Sequence, residues 1–385
     1  MGASAGPSGT IRLRLIAGYI AIFAVPGIGL PFWPTWLESR QLSDLQIGFI
    51  LALGPWVKLA GNPLFSLAAD RLGNARPILI AAILASLGFY SLYTQADGFW
   101  PILAVTVFAA MCITAMVPLA DGMALQLCAA HDLQYGRIRL WGSLAFIGAS
   151  LAAGHILEGR SPDLVLYLML GGLLLTLAVA AALPRPSRAA PSLPAGGWWV
   201  LLADRPLMLF LAAASLVQSS HAMLYSFSTL HWLDAGYGEA DIGLIWTVSV
   251  VAEVLLFAAG AALVRRLGVL PLLILGALAG LLRWTLAAFF VGWPALVAIA
   301  LLHALTYAAT HLAAMTYLVR HVTPGLAASA QGLYGVMAAG PLLGLSMLAS
   351  GWLYGVAGGL GFLAMAVMCA GSAFIGFVFL RDRTP

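Results

Sequence analysis

The sequence predicts an all-α integral membrane protein of twelve transmembrane helices, built as two six-helix pseudo-repeats. Three observations predict it. Of 385 residues, 62% are hydrophobic and only 8% charged, whereas a soluble domain carries roughly a quarter charged residues, so a globular exterior could not be covered. Apolar runs of about twenty residues, each long enough as a helix to cross about 30 Å of hydrocarbon, recur along the whole chain. A Pro-, Ser- and Gly-rich stretch, PRPSRAAPSLPAGG (184–197), divides these runs at mid-chain.

Polar interruptions set the limits of each span. ESRQLS (38–43) ends a first span at 13–37 and opens a second at 44–69, and DRLGNAR (70–76) leads into 76–94. QADG, AAHDLQYG and EGRSP bound 99–128, 137–157 and 163–183. Beyond the linker the spans are 206–233, 241–264, 271–291, 294–319, 326–351 and 356–380. The first run has no clear small-residue cleavage site and reads as a retained helix. Its AVPGIGLPFWPTW (24–36) holds Pro26, Pro31, Pro34, Gly27 and Gly29, a composition tolerated at a helix interface or cavity and costly against lipid, so span one is expected to move near the outer gate.

Charge fixes the orientation. With both termini inside, the inner connections hold Arg12, Arg14, Arg71, Arg76, Arg137, Arg139, Arg185, Arg188, Arg205, Arg265, Arg266, Arg320, Arg381 and Arg383, and the outer ones only Arg40 and Arg160. Fourteen against two is the positive-inside pattern, and an odd number of spans would scramble it. The reading is therefore a multi-pass protein of a bacterial inner membrane with cytoplasmic termini. The net charge of +4 is spread without a basic tract, so no nucleic acid is expected. Cys112, Cys128 and Cys369 have no metal spacing and suggest no disulfide scaffold. No cofactor or metal is expected, and neither H-E-x-x-H, G-x-S-x-G nor a phosphate loop is present, so the chain does not read as an enzyme.

The two halves echo each other. WLESRQLSDLQIGFILALGPWVK (36–58) aligns with WLDAGYGEADIGLIWTVSVVAE (232–253) after one gap, and DRLG (70–73) falls against RRLG (265–268). This gives bundles at 1–183 and 206–385 joined by a cytoplasmic linker at 184–205, the organisation of an alternating-access transporter with its site near the midplane. A monomer in the bilayer is expected.

GNPLFSLAADRLGNARP (61–77) resembles the signature between the second and third helices of the major facilitator superfamily; Asp70, Arg71, Gly73 and Arg76 match, and Ser66 replaces the usual glycine. Asp70 and Arg71 are expected to pair with charges at neighbouring helix ends and hold a gate. The resemblance implies the major facilitator fold.

The charges inside the spans locate the chemistry. A buried arginine costs several kcal/mol and normally has a carboxylate partner. Only Asp121 and Glu253 lie well inside apolar runs, and Asp121 near the end of span four can reach Arg139 at the start of span five. In the second half Glu253, Arg283 and His303 fall in spans eight, nine and ten. His303, Tyr307 and His311 recur at steps of four and share a helix face, as do His221 and Tyr225. A carboxylate beside an arginine and a histidine can take up and release a proton as its surroundings change. Lys58, at the repeat position of Glu253, would pair with Asp121 or a ligand carboxylate.

These positions resemble the oligosaccharide:proton symporters, lactose permease among them. The resemblance implies substrate binding at Asp121 and Arg139 and proton coupling at Glu253, Arg283 and His303, with Thr306 where that family has a second glutamate. LPFWPTWL (30–37), VPLADGMA (117–124), YGRIRLWGSLAFIGAS (135–150), SSHAMLYSFSTLHW (219–232), VVAEV (250–254) and HALTYAATHLAAMTYLV (303–319) are similar to the phenylpropionic acid transporter branch, which shares the missing glutamate. The expected function is proton symport of a small aromatic carboxylate such as 3-phenylpropionate, with a sugar or nucleoside as alternative ligand and a non-transporting sensor or assembly protein as the alternative class. Candidate substrate-binding residues are Asp121, Arg139, Trp141, Tyr19, Trp33, His221, Tyr225, Trp284 and Tyr307, because aromatic faces with a guanidinium suit an aromatic acid. Candidate coupling residues are Glu253, Arg283, His303 and His311.

Overall fold

The computed structural model describes residues 7–184, 198–323 and 326–380. They form α1 (Pro7–Ser39), α2 (Asp44–Leu72), α3 (Ala75–Leu92), α4 (Phe99–His131), α5 (Tyr135–Leu157), α6 (Asp163–Ala182), a short α7 (Trp198–Ala203), α8 (Arg205–Ser219) and α9 (Ala222–Asp234). There follow α10 (Glu239–Leu267), α11 (Val269–Phe289), α12 (Trp293–His303), a π turn (Ala304–Ala309), α13 (Thr310–His321), α14 (Ala327–Ala339), α15 (Pro341–Ala357) and α16 (Phe362–Ile375). Eleven helical stretches among the described residues are long and apolar enough to cross a membrane. The last, Ser329–Phe379, has 51 residues, about 75 Å of helix, which is two crossings and brings the total to twelve.

Most expected spans agree within a few residues. The twelfth does not begin at 356: α15 continues to Ala357, a left-handed Gly358 (φ +54°) and a 3-10 turn Gly358–Gly361 follow, and α16 starts at Phe362. The expected linker falls on residues 185–197, outside the described residues, except that its end forms α7.

The chain forms two compact units: 1–42 with 56–193 and 238–243, and 43–55 with 194–237 and 244–385. In the first, α1 is the buried centre. It stays helical through Pro26, Pro31 and Pro34, because interior proline is tolerated where neighbouring helices enclose the backbone. The intervening glycine makes this packing possible: a Cβ on Gly27 would lie 2.8 Å from the Phe146 carbonyl oxygen of α5. Thr176 of α6 donates to the Ala21 carbonyl of α1 at 3.0 Å, fixing their register.

The turn from α2 to α3 needs glycine for a different reason, since Gly73 has φ +62°. Asn74 then caps α3 by accepting from the Arg76 amide at 3.0 Å. The Arg76 guanidinium donates to the carbonyls of Ala180 and Ala181 at the end of α6, satisfying acceptors that a helix C-terminus leaves open. Asp70 and Arg71 are exposed, and neither makes an ion pair among the described residues. The expected gate pairing is therefore corrected in this state: Arg76, working on backbone carbonyls, is the anchoring charge of the motif.

In the second unit Phe210 of α8 stacks on Tyr317 of α13 at 4.0 Å, within a core that includes Leu207, Leu272, Leu273 and Ala313. Gly48 of α2 lies against Gly351 of α15, where an added Cβ would come within 2.8 Å of the opposing Cα.

Candidate functional site

Among the described residues, each unit holds a polar group between its helices, part-buried in the first unit and buried in the second. In the first, the Asp121 carboxylate on α4 accepts from the Tyr19 phenol of α1 at 2.5 Å and from the Tyr135 phenol of α5 at 2.9 Å, both on Oδ1. Arg139 Nε stands 3.8 Å from the same oxygen, with both side chains about 30% exposed. This is too long for a hydrogen bond. The guanidinium is held instead by π faces, 4.0 Å from the Phe23 centroid and 5.6 Å from that of Tyr19, an arrangement that suits arginine. Arg139 thus sits on the helix beside a carboxylate and two rings.

Tyr135 was not singled out from the sequence, although it precedes Arg139 by four residues and therefore shares its face. Phe23 relates to Tyr19 in the same way. Two other expected members do not join this group. Trp141 is two residues from Arg139, a spacing that turns it to another face of α5, and it is 44% exposed. Trp33 lies fourteen residues along α1 from Tyr19, about 21 Å, and stacks on Trp36 at 4.6 Å beside Tyr90 and Tyr93. Lys58, half-buried on α2, has no carboxylate within ion-pair distance among the described residues, so the expected bridge to Asp121 is absent.

The second group gathers where two spans break. Between α8 and α9 the helix interrupts at Ser220 and His221, and the carbonyls of Val217 and Gln218 lie 3.1 and 3.0 Å from His221 Nδ1. Only a protonated Nδ1 can donate to them, which leaves Nε2 of the neutral ring as an acceptor. Its partner at 3.0 Å is the Thr306 hydroxyl. Thr306 lies in the π turn, a device that recurs at functional sites, and this turn keeps the rings of His303, Tyr307 and His311 stacked at centroid distances of 5.4 and 6.5 Å.

Arg283 of α11 is the centre of the group and is 0% exposed. Its Nε donates to the Ile299 carbonyl at 2.8 Å and its Nη1 to Thr306 Oγ1 at 2.9 Å, with His303 Nδ1 at 3.1 Å. Its Nη2 is buried without a hydrogen-bond partner among the described residues. The guanidinium carbon lies 4.4 Å from the centroid of Trp284, whose Nε1 donates to Ser220 Oγ at 2.8 Å. Trp284 is itself fully enclosed, so it supports Arg283 and offers no open face.

Glu253 of α10 reaches this group through His303, Oε2 to Nε2 at 3.6 Å. An acceptor role for His303 Nδ1 towards Arg283 leaves Nε2–H directed at the carboxylate. Tyr225 stacks on His221 at 5.7 Å and on Trp246 at 6.1 Å, and Tyr225, Tyr307 and His311 are half-buried. His311 contacts Tyr334 and Phe257 and stands one stacking step away from the Arg283 network. Ser220 and the π turn were not legible in the sequence, because both depend on where a helix breaks.

Residues 12–364 match the MFS_1 like family. The chain is 31% identical over 375 residues to the probable 3-phenylpropionic acid transporter of Escherichia coli K12, covering 94% of this chain and 96% of the relative. It is 33% identical over 268 residues to the maltose permease of Geobacillus stearothermophilus, 69% and 68% of the respective chains. The crystal structure of the nucleoside transporter NupG superposes with a TM-score of 0.86 at 16% identity, covering 96% of this chain and 99% of that one. A bacterial Spinster homologue gives 0.78 at 15% identity over the whole of both chains. Both structural likenesses speak to the fold alone. The chain belongs to the MFS_1 like family, within the major facilitator superfamily, and is a membrane-embedded secondary transporter of a small organic molecule.

Proposed function

We propose that the protein carries a small aromatic carboxylate, of the class of 3-phenylpropionate, together with a proton across the bacterial cytoplasmic membrane. Alternating access of bundles 1–183 and 206–385, joined by a cytoplasmic linker at 184–205, would supply the movement, with both termini cytoplasmic. The observation that carries this reading is the buried group around Arg283: a guanidinium with no carboxylate within ion-pair distance among the described residues, and Glu253 on the far side of the His303 imidazole. A cation without a direct counter-charge suits an anionic solute, and the Glu253–His303 pair suits a mobile proton. Tyr225, Tyr307 and His221 offer ring faces for an aryl group. His311 extends the coupling set, while Asp121, Arg139 and Tyr19 form the polar contact of the other bundle. The relative named for 3-phenylpropionic acid supports the same solute class.

A second reading, sugar symport, is favoured by one observation. Asp121, facing two phenols and a guanidinium, is the kind of acceptor that sugar hydroxyls use, and the maltose permease is a relative. Uptake of labelled 3-phenylpropionate, maltose and a nucleoside into proteoliposomes separates the two. Saturable uptake of the acid above that of protein-free vesicles is expected; uptake of maltose or nucleoside with none of the acid would replace the proposal.

A further inference from the structure

We infer that the carboxylate of the transported acid docks on the unpartnered Nη2 of Arg283, and that Thr306 keeps this place open by presenting only a neutral hydroxyl, on the neighbouring Nη1. The inference rests on the proposed transport of an aromatic carboxylate and adds where its charge is held.

Arg283 is enclosed and fixed from three sides, by the Ile299 carbonyl, the Thr306 hydroxyl and the face of Trp284. Every hydrogen-bond partner it has is neutral, counting His303 as an acceptor, and no carboxylate lies within 4.0 Å of it among the described residues. A buried charge in this setting is costly unless it is paired and its donors are filled. One donor, Nη2, is left over. A planar guanidinium with a free N–H edge is made for a carboxylate.

The other candidate cation is already occupied. Arg139 is about a third exposed, with the Asp121 carboxylate 3.8 Å away and Phe23 beneath it, so its charge has both a counter-ion and a π face. An arriving anion would gain less there and would meet Asp121. At Arg283 the nearest acid, Glu253, lies beyond His303. The rings of His221, Tyr225, Tyr307 and His303 pack on one another beside this guanidinium. Nη2 is enclosed here, so docking belongs to the state in which alternating access has opened a way to it.

Charge bookkeeping then links solute to proton. Arg283 and an ionised Glu253 balance; an added carboxylate leaves one negative charge in excess, and a proton placed on the Glu253–His303 pair restores neutrality. Binding of the anion should therefore take up about one proton, and by reciprocity protonation should favour binding. Thr306 matters because its Oγ1 is 2.9 Å from Nη1. A glutamate at this position would bring an internal carboxylate to the same guanidinium and compensate the charge that the solute's carboxylate is to meet.

The test uses the purified full-length protein in nanodiscs, with 3-phenylpropionate and its neutral amide, 3-phenylpropionamide, as probes. The unmodified protein should bind the acid at least about tenfold more tightly than the amide and take up protons with the acid alone. Thr306→Glu should weaken acid binding at least about tenfold relative to the equally large Thr306→Gln, with amide binding changed alike in both. Equal affinity for acid and amide in the unmodified protein overturns the inference, and this holds whether or not either variant folds. Acid binding as tight in a folded Thr306→Glu as in Thr306→Gln also overturns it. In either case accumulation of the acid in vesicles would leave the transport proposal standing, whereas neither binding nor uptake of the acid would remove both.

Discussion

Thr306 accepts a hydrogen bond from Arg283 at 2.9 Å and sits 3.0 Å from Nε2 of His221, so one hydroxyl joins the charged centre of α11 to the break between α8 and α9. The position is the one at which the resemblance to oligosaccharide symporters leads to the expectation of a carboxylate. In its place stands a neutral group that orients an arginine, and no carboxylate lies within ion-pair distance of that arginine among the described residues. On the proposed reading, coupling would rest on Glu253 and His303, and the solute itself would be part of the charge balance.

The paired group of the first unit gives a direct energetic test. Tyr19, Tyr135 and Arg139 all converge on Asp121 Oδ1. Asp121→Ala and Arg139→Ala, measured singly and together by ligand binding, are expected to be non-additive by about 0.5 kcal/mol or more. The figure is small because both side chains are partly solvated and the pair is long. Additive effects would mean that Arg139 acts independently of the carboxylate. Tyr135→Phe is expected to weaken binding less than Asp121→Ala, since Tyr19 remains.

Close helix crossings give a second. Gly48 meets Gly351, and Gly243, at the equivalent position of the second repeat, would place a Cβ 2.7 Å from the Ser150 carbonyl. Gly48→Leu and Gly243→Leu cannot be accommodated in this arrangement without moving α2 from α15 or α10 from α5. Uptake in vesicles is expected to fall about tenfold or more while detergent-purified protein still binds ligand. Uptake at the unmodified rate would show that these crossings need not close during transport.

Much of the fold was legible, and the reasons are physical. Twelve spans follow from the bilayer's demand for long apolar helices, and the aligned strings around Lys58 and Glu253 point to an internal repeat. Asp121, Arg139, Glu253, Arg283 and His303 stood out because ionisable residues are rare at this depth. What hydropathy does not encode is rotation and interruption. It could not tell that Trp141 turns away from Arg139, that Trp33 stacks on Trp36 far along α1, or that the chain breaks at Ser220–His221 and loosens into a π turn at Thr306. The signature at 70–76 suggested charge pairing, whereas Arg76 works on the carbonyls of α6.

Orientation is a separate prediction. The excess of arginine on one set of connections places Arg265 on the cytoplasmic side and Asp234 outside. Single cysteines at these positions are expected to react with an impermeant maleimide only from the corresponding side in right-side-out vesicles. The native cysteines are buried and contribute little background. Labelling from the opposite side at either position would overturn the assigned topology.

The most direct measurement of the central claim is accumulation of labelled 3-phenylpropionate in proteoliposomes under an imposed pH gradient, with protein-free vesicles setting the passive flux of the neutral acid. The unmodified protein is expected to concentrate the acid on the alkaline side faster than that passive flux and to lose this excess when an ionophore collapses the gradient. Glu253→Gln, correctly inserted, is expected to abolish the excess while retaining counterflow exchange, because exchange does not require the proton to leave. Accumulation by Glu253→Gln as full as that of the unmodified protein, or uptake by the unmodified protein that ignores the pH gradient, would contradict the account.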